Sequence, residues 1–325
     1  MSSTGRQSIP ESRAGAGPDP AGPAAAGTRF YDTHVHFFDR SEPGLRYEWL
    51  EQDATDPDLG DYGAIKAIRY RVDDFIGETR FSGVTAAVHV QAAVGTSDPV
   101  RETAWLDREF RSAPFPQAIV AAADLSRDDA GDIVARQAAF AKVRGIRDLR
   151  YDDYLSDPHW RRGYAHLERH GLLLCADPLL EAVPAAVDLA REFPGIQLCI
   201  DHACYPRQRD AAYFEAWRQA MASLAACDNV VVKISGLGMC DHRWTTESIR
   251  PWVMSCIELF GSQRSFFGTN WPLDRLFSSY GDVLTAYRSC ISEFGPAERD
   301  ALMFGNAARI FGGVTHEPSA AGGAG

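Results

Sequence analysis

The stretch Tyr31-Asp32-Thr33-His34-Val35-His36 decides how this chain is read. It carries two histidines two apart at the end of a short apolar-leading segment. On an extended strand, side chains at i and i+2 point to the same face. Both imidazoles can then converge on one ion or one substrate group, as chelation or paired hydrogen bonding requires. Met alone, a His-x-His is more often a strand with two surface histidines. What surrounds it reverses that balance.

Working outward, eight β-rich runs are expected as strands: Arg29–His34, Val84–Gln91, Ala118–Ala123, Val143–Leu149, Leu172–Ala176, Gln197–His202, Val230–Ile234 and Ser265–Gly268. Helical stretches lie between them, among them Thr103–Phe110, Asp129–Lys142, Trp160–His170, Ala182–Phe193, Ala212–Ala225 and Thr246–Phe260. Alternation at this spacing implies a parallel sheet, and eight repeats imply closure. The expected fold class is α/β, a single (β/α)8 TIM barrel, which needs about 250 residues. The 325 residues accommodate it as one domain over 28–313, regular from about Phe30 to Phe311. Residues 1–27 are rich in Gly, Ala, Pro and Ser, with no apolar period and no continuous apolar signal segment. They are expected as a disordered leader, and 314–325 as a flexible tail.

Composition narrows the partners. Basic residues number 33 and acidic residues 44, and the net charge of −11 disfavours nucleic acid or an anionic membrane. No apolar run approaches the ~18 residues of a membrane span. The seven cysteines form no C-x-x-C pair and several sit in apolar runs, which points to a reducing cytoplasm. A small-molecule substrate is the expected partner, with a homodimer left open.

In such barrels the chemistry gathers at the C-terminal strand ends. Those ends bring His34 and His36, then His89 and Gln91, again an i, i+2 pair, then Arg144 and Arg147. Charged residues in an apolar strand are costly to bury unpaired, so at least one arginine is expected to face the mouth and bind an anion. For Arg147 the alternative is an ion pair with Asp148 or a neighbouring acid. Further on come Cys175 and Asp177, then Asp201-His202 with Tyr205 and Arg207, then Lys233 and Ser235, and finally Asn270, Trp271 and Asp274. Singly, His89 reads as a satisfied core histidine and Lys233 as a barrel ion-pair partner. Together these residues form a polar crown on an apolar barrel, the expected form of an active site.

The order of these segments resembles the amidohydrolase superfamily, in its amidohydrolase-related branch of sugar-acid and pyrone lactonases. L-rhamnono- and L-fucono-lactonases and 2-pyrone-4,6-dicarboxylate lactonase belong there. The resemblance rests on Asp32-Thr33-His34-Val35-His36, Tyr47-Glu48-Trp49-Leu50, Val88-His89-Val90-Gln91, Val143-Arg144-Gly145-Ile146-Arg147, Ile200-Asp201-His202, Val232-Lys233-Ile234-Ser235-Gly236-Leu237, Phe267-Gly268-Thr269-Asn270-Trp271-Pro272 and Phe304-Gly305-Asn306-Ala307-Ala308-Arg309. It implies an enzyme that opens a lactone or a related carboxylated small molecule. Two departures stand out. The lactonases present Asp on the eighth strand, as general base, where this chain has Asn270, and an amide has no usable basicity near pH 7. Two-metal relatives place a histidine on the fifth strand, where this chain offers Cys175 and Asp177, and no candidate for a bridging carboxylated lysine exists. Asp177 is the expected substitute base, ahead of Asp274, whose loop position is less favourable.

A metal, Zn or Mn, would be left with His34, His36 and His202, with Asp177 as a further candidate ligand, in a mononuclear site. Without one, the same histidines would polarise the substrate carbonyl. The missing eighth-strand Asp tips the balance slightly to the metal-free version. The catalytic set is then His34, His36, His202, Asp177 and Asn270. Substrate contacts are expected from Tyr47, His89, Gln91, Arg144, Arg147, Tyr205, Arg207, Lys233 and Trp271. Two alternatives to lactone hydrolysis are carried: a non-hydrolytic member (decarboxylase, retro-aldol lyase, cyclase or isomerase) of secondary metabolism, and a silent ligand-binding relative. Because residues 1–27 hold nothing with which to build a core, deleting them should leave melting temperature and activity unchanged. A lowered melting temperature in the truncated chain would show that they dock on the barrel.

Overall fold

Runs such as Val230-Val231-Val232-Lys233-Ile234 are β-branched almost throughout and hold no turn residue, so they extend and are buried on both faces. The computed structural model describes residues 29–66, 69–150 and 153–312, and the expected leader and tail lie outside them. Its strands are β1 (Phe30–Val35), β2 (Val84–Val90), β3 (Ala118–Ala122), β4 (Val143–Arg147), β5 (Leu173–Ala176), β6 (Leu198–Ile200), β7 (Val230–Ile234) and β8 (Ser265–Phe267). They follow one another in sequence order, each parallel to the next. Just beyond β8 the ring closes on β1: Val35 bridges Trp271, His36 N–H donates to the Trp271 carbonyl at 2.7 Å, and Trp271 N–H donates to the His34 carbonyl at 3.3 Å. This is the single (β/α)8 barrel that the alternation implied.

The core has two shells. Tyr31, Val88, Val120, Leu173, Val231 and Phe266 fill the barrel, and Phe304, Ala307 and Phe311 plug its N-terminal end. A larger shell lies between strands and helices. Helix boundaries follow local chemistry. The Asp157 carboxylate caps the helix Pro158–Tyr164 by accepting from His159 N–H, and proline takes the first helical position. The expected single helix Trp160–His170 is two, Pro158–Tyr164 and His166–His170.

One irregularity positions the site. Asp32 pairs with Ala87 and Val35 with His89, three steps on β1 against two on β2. An extra residue of this kind inverts the faces of the strand beyond it. Tyr31 therefore points into the barrel while Val35 joins the outer shell, and His34 turns inward. Asp32 secures the bulge. Its buried carboxylate accepts from Thr269 N–H at 2.9 Å, Thr269 Oγ1 at 2.5 Å, Tyr280 Oη at 2.9 Å and His34 N–H at 3.2 Å. Burial pushes this carboxyl up to about 6 against those four bonds. Asp32→Ala strands four buried donors at once, so it should cost about 3 kcal/mol and lower the melting temperature by roughly 6–10 °C. A shift within error of zero would mean that the β1–β8 seam does not depend on it.

Candidate active site

His34, His36 and His202 arrive at the mouth by different routes. His34 and His36 flank the end of β1, their Nε2 atoms 3.2 Å apart, and His36 Nδ1 donates to the Val90 carbonyl at 2.9 Å. His202 follows β6 in a left-handed turn in which His202, Ala203, Cys204 and Tyr205 all have φ between 46° and 59°. Non-glycine residues pay roughly 1–2 kcal/mol each for that conformation, so neighbours must hold it. Trp217 Nε1 donates to the Ala203 carbonyl at 2.8 Å and Cys204 Sγ to the Pro178 carbonyl at 3.2 Å. The turn lays the His202 ring against His34, ring centres 4.4 Å apart, with Nδ1 on Ser235 Oγ at 2.9 Å. Gly236 makes room, since a β-carbon there would stand 2.5 Å from His202 Nδ1. Burial holds all three imidazoles neutral, lowering His202 to about 3 and the other two well below the usual range.

Lys233 and Asp201 form the floor. Both are fully buried, with Lys233 Nζ 2.7 Å from Asp201 Oδ1. Lys233 also approaches His34 Nδ1 at 3.5 Å and Cys175 Sγ at 3.6 Å. Burial alone would raise the Asp201 carboxyl, but Lys233 and His202 hold it below the carboxylate range. On the open side stands Arg147, its guanidinium 3.7 Å from the Asp177 carboxylate, their side chains 9% and 12% exposed. The Arg147 charge acts on His34, His36, His202 and Asp201 alike. Burial raises the Asp177 carboxyl and Arg147 opposes the rise. Beside Arg147 and Gln91 opens a cavity of about 630 Å³ between the ends of β2, β3 and β4.

Asn270 sits beyond β8 with φ 59°. Both hydrogens of its amide are engaged, by Asp274 Oδ2 at 2.8 Å and Met239 Sδ at 3.2 Å. Its free polar atom is therefore the carbonyl oxygen, an acceptor. Burial pushes the Asp274 carboxyl up to about 7, against its bonds from Asn270 and the Gly238 backbone. Asp274 is thus no remote loop residue: it is 3% exposed and orients Asn270.

Several expected substrate contacts are corrected. His89 lies on the outer face of β2, accepting from Phe37 N–H at 3.2 Å on Nδ1 and meeting Glu102 Oε1 at 3.3 Å through Nε2. Gln91 reaches the cavity because it lies past the strand, where the two-residue period no longer binds it. Arg144 is at the opposite end of β4 from Arg147, its guanidinium folded onto the Ala141 and Val143 carbonyls. Tyr47 packs on Phe38 and receives the Asp39 N–H, and Trp271 Nε1 is spent on Glu78 Oε2 at 2.8 Å. Lys233 is fully buried, its ammonium committed to Asp201, His34 and Cys175. Tyr205 stays at the rim beside His202, with Arg207 stacked on its ring and paired to Asp58 at 3.4 Å. Asp201 and Ser235, named among the strand-end polar residues, were assigned no role in catalysis or binding from sequence.

Among the described residues two groups bring ligand atoms within 4.8 Å of one another and could hold a divalent ion, His34–Asp201–His202 and Cys175–Cys199–Asp201, and the expected three-histidine set is not one of them. Both groups share Asp201, whose charge Lys233 already balances. The expected carboxylate, Asp177, pairs with Arg147 instead.

Comparison with known proteins agrees with the fold. The amidohydrolase family model matches residues 31–313. An uncharacterized protein of Sinorhizobium fredii, y4mH, is 35% identical over 86% of this chain and 97% of its own length. L-fucono-1,5-lactonase of Burkholderia ambifaria is 34% identical over 71% of this chain and 81% of its own. A crystal structure of an amidohydrolase from Burkholderia multivorans, with bound zinc, superposes with a TM-score of 0.75 at 26% identity, covering 87% of this chain and 99% of that one. With a barrel crowned by His34, His36 and His202 and a family match over nearly all of it, this chain belongs to the amidohydrolase family.

Proposed function

We propose that this enzyme hydrolyses a cyclic ester that carries an anionic group such as a carboxylate. The observation that carries the proposal is Arg147, a nearly buried guanidinium beside Asp177 with three neutral imidazoles in reach of its charge. A guanidinium in that position recognises a carboxylate in two-point fashion. Neutral imidazoles polarise the ester carbonyl by hydrogen bonding as charge develops on its oxygen. Asp177, raised by burial, takes the proton of the attacking water, a task that a base shifted toward neutral pH performs well. Asn270, its amide hydrogens spent on Asp274 and Met239, offers only an acceptor oxygen from the β8 side. The lactonase relative supports this choice of ester. A second reading has one observation in its favour. The amide at Asn270 suits a reaction without water as nucleophile, such as decarboxylation of the same anion.

A panel of carboxylated and neutral lactones and carboxylated aromatics, followed for acid release and for CO₂, separates the two. Acid release from a lactone is the expected result, and CO₂ evolution without it would sink the hydrolytic reading. Arg147→Met should lower kcat/KM about 100-fold on the carboxylated substrate and only a few-fold on its neutral analogue. An equal loss on both would remove the anion clamp from the argument.

Asp274 sets a pH dependence. Its carboxyl, at about 7, accepts from Asn270 most strongly as the anion. Below that pH the protonated group holds the amide less firmly, so kcat/KM should rise with pH through about 7. Asp274→Asn has no such proton to lose, and in that variant this inflection should vanish. Its persistence would assign the limb to another group.

A further inference from the structure

An ammonium has three hydrogens to donate and nothing with which to accept. Those of Lys233 have three partners within reach: Asp201 Oδ1 at 2.7 Å, His34 Nδ1 at 3.5 Å and Cys175 Sγ at 3.6 Å. A donor facing His34 Nδ1 requires a lone pair there, which puts the imidazole proton on Nε2. His36 has the opposite form, because its Nδ1 faces the Val90 carbonyl and must carry the proton. His34 Nε2–H therefore points at the lone pair of His36 Nε2, 3.2 Å away. The donors run in one direction from Lys233 through His34 and His36 to Val90, and the chain closes with no ion added.

The groups for a different arrangement are present. Asp201 Oδ2 is buried without a hydrogen bond, 3.6 Å from His34 Nδ1. It is the acceptor that a proton on Nδ1 would find. In that form His34 and His36 would both aim lone pairs from nitrogens 3.2 Å apart. That separation is close to the edge, about 3.3 Å, of a tetrahedron with Zn–N bonds of roughly 2.05 Å. A carboxylate behind the first histidine is also what zinc sites use to orient a ligand.

We propose that Lys233 is the built-in cation of this barrel: it locks His34 in the Nε2–H form and thereby ties the histidine pair into a donor chain that ends on the Val90 carbonyl, in place of a divalent-metal site. The ammonium acts as a positioning residue, and its charge would also repel an ion seated at the neighbouring imidazole. The inference concerns tautomer and metal content, so it stands or falls separately from the choice of ester.

Long-range ¹H–¹⁵N correlation of the intact chain, with His34→Gln to assign the ring, reads the tautomer directly. The expected result is a protonated Nε2 on His34, and a protonated Nδ1 overturns the proposal. Zinc retention after equilibration and desalting is the second measurement. The parent chain should keep below roughly 0.1 zinc per chain and Lys233→Met about one, with the d–d absorption of a tetrahedral site on cobalt substitution. Folding of Lys233→Met only when zinc is supplied supports the proposal equally. The double variant Lys233→Met/Asp201→Asn, which leaves no unpaired buried charge, should fold and keep no zinc. Stoichiometric zinc on the parent chain, or a folded Lys233→Met that binds none, overturns it.

Discussion

The ion pair between Lys233 and Asp201, 2.7 Å apart and fully sealed from solvent, is the constraint from which the mouth of this barrel is built. Removing either partner would leave a buried charge uncompensated, at a cost of about 3–5 kcal/mol. The pair must therefore be made, and making it aligns everything above it. Asp201 follows directly on β6 and Lys233 lies in β7, so the bond ties adjacent strands at the depth where the chemistry begins. His34, crossing from β1, meets Lys233 and Asp201 with the same ring nitrogen, at 3.5 and 3.6 Å. Three strands thus share one electrostatic knot, and the histidines above it inherit their orientation from it.

Two backbone departures bring the rings to that knot. The bulge in β1 inverts the strand so that His34 faces inward, and the left-handed turn after β6 swings His202 back across the mouth. Both cost conformational energy, and both are held by hydrogen bonds from elsewhere in the chain: Thr269 and Tyr280 on Asp32, Trp217 on Ala203. Strain concentrated at a site and countered by its surroundings is the pattern expected where positioning serves chemistry. Asn270, also left-handed, follows the same pattern, steadied by Asp274 and Met239.

The strands were legible because eight β-branched or apolar runs leave no other way to bury themselves, and Val230–Ile234 matches to the residue. Placement at the mouth was legible where a residue lies past its strand or on the expected inward face, as with His36, Gln91 and Arg147. It failed where the two-residue period was extended too far. His89 lies inside β2, so its pairing with Gln91 put it on the wrong face, and its bland reading as a satisfied core histidine is the one that fits Glu102. Arg144 and Arg147 look equivalent in sequence, but three residues at about 3.3 Å each carry them to opposite ends of β4. Asp201 was hidden for another reason. Its value depends on Lys233, thirty-two positions away in sequence, and a pairing of that kind becomes visible only when β6 and β7 are laid side by side.

The same logic bears on the substitution at the eighth strand. An aspartate at position 270 would add a third buried carboxylate to a seam that already holds Asp32 and Asp274, both raised by burial. An amide avoids that repulsion. It also uses Asp274, four residues on, as the partner that fixes its orientation, so the negative charge of the seam sits one hydrogen bond behind the amide. On the far side of the mouth, Arg147 keeps Asp177 available as an anion in spite of burial. In the proposed hydrolysis the proton is then taken at β5 rather than at β8. The histidines between are neutral by burial, and His34 is aligned by Lys233.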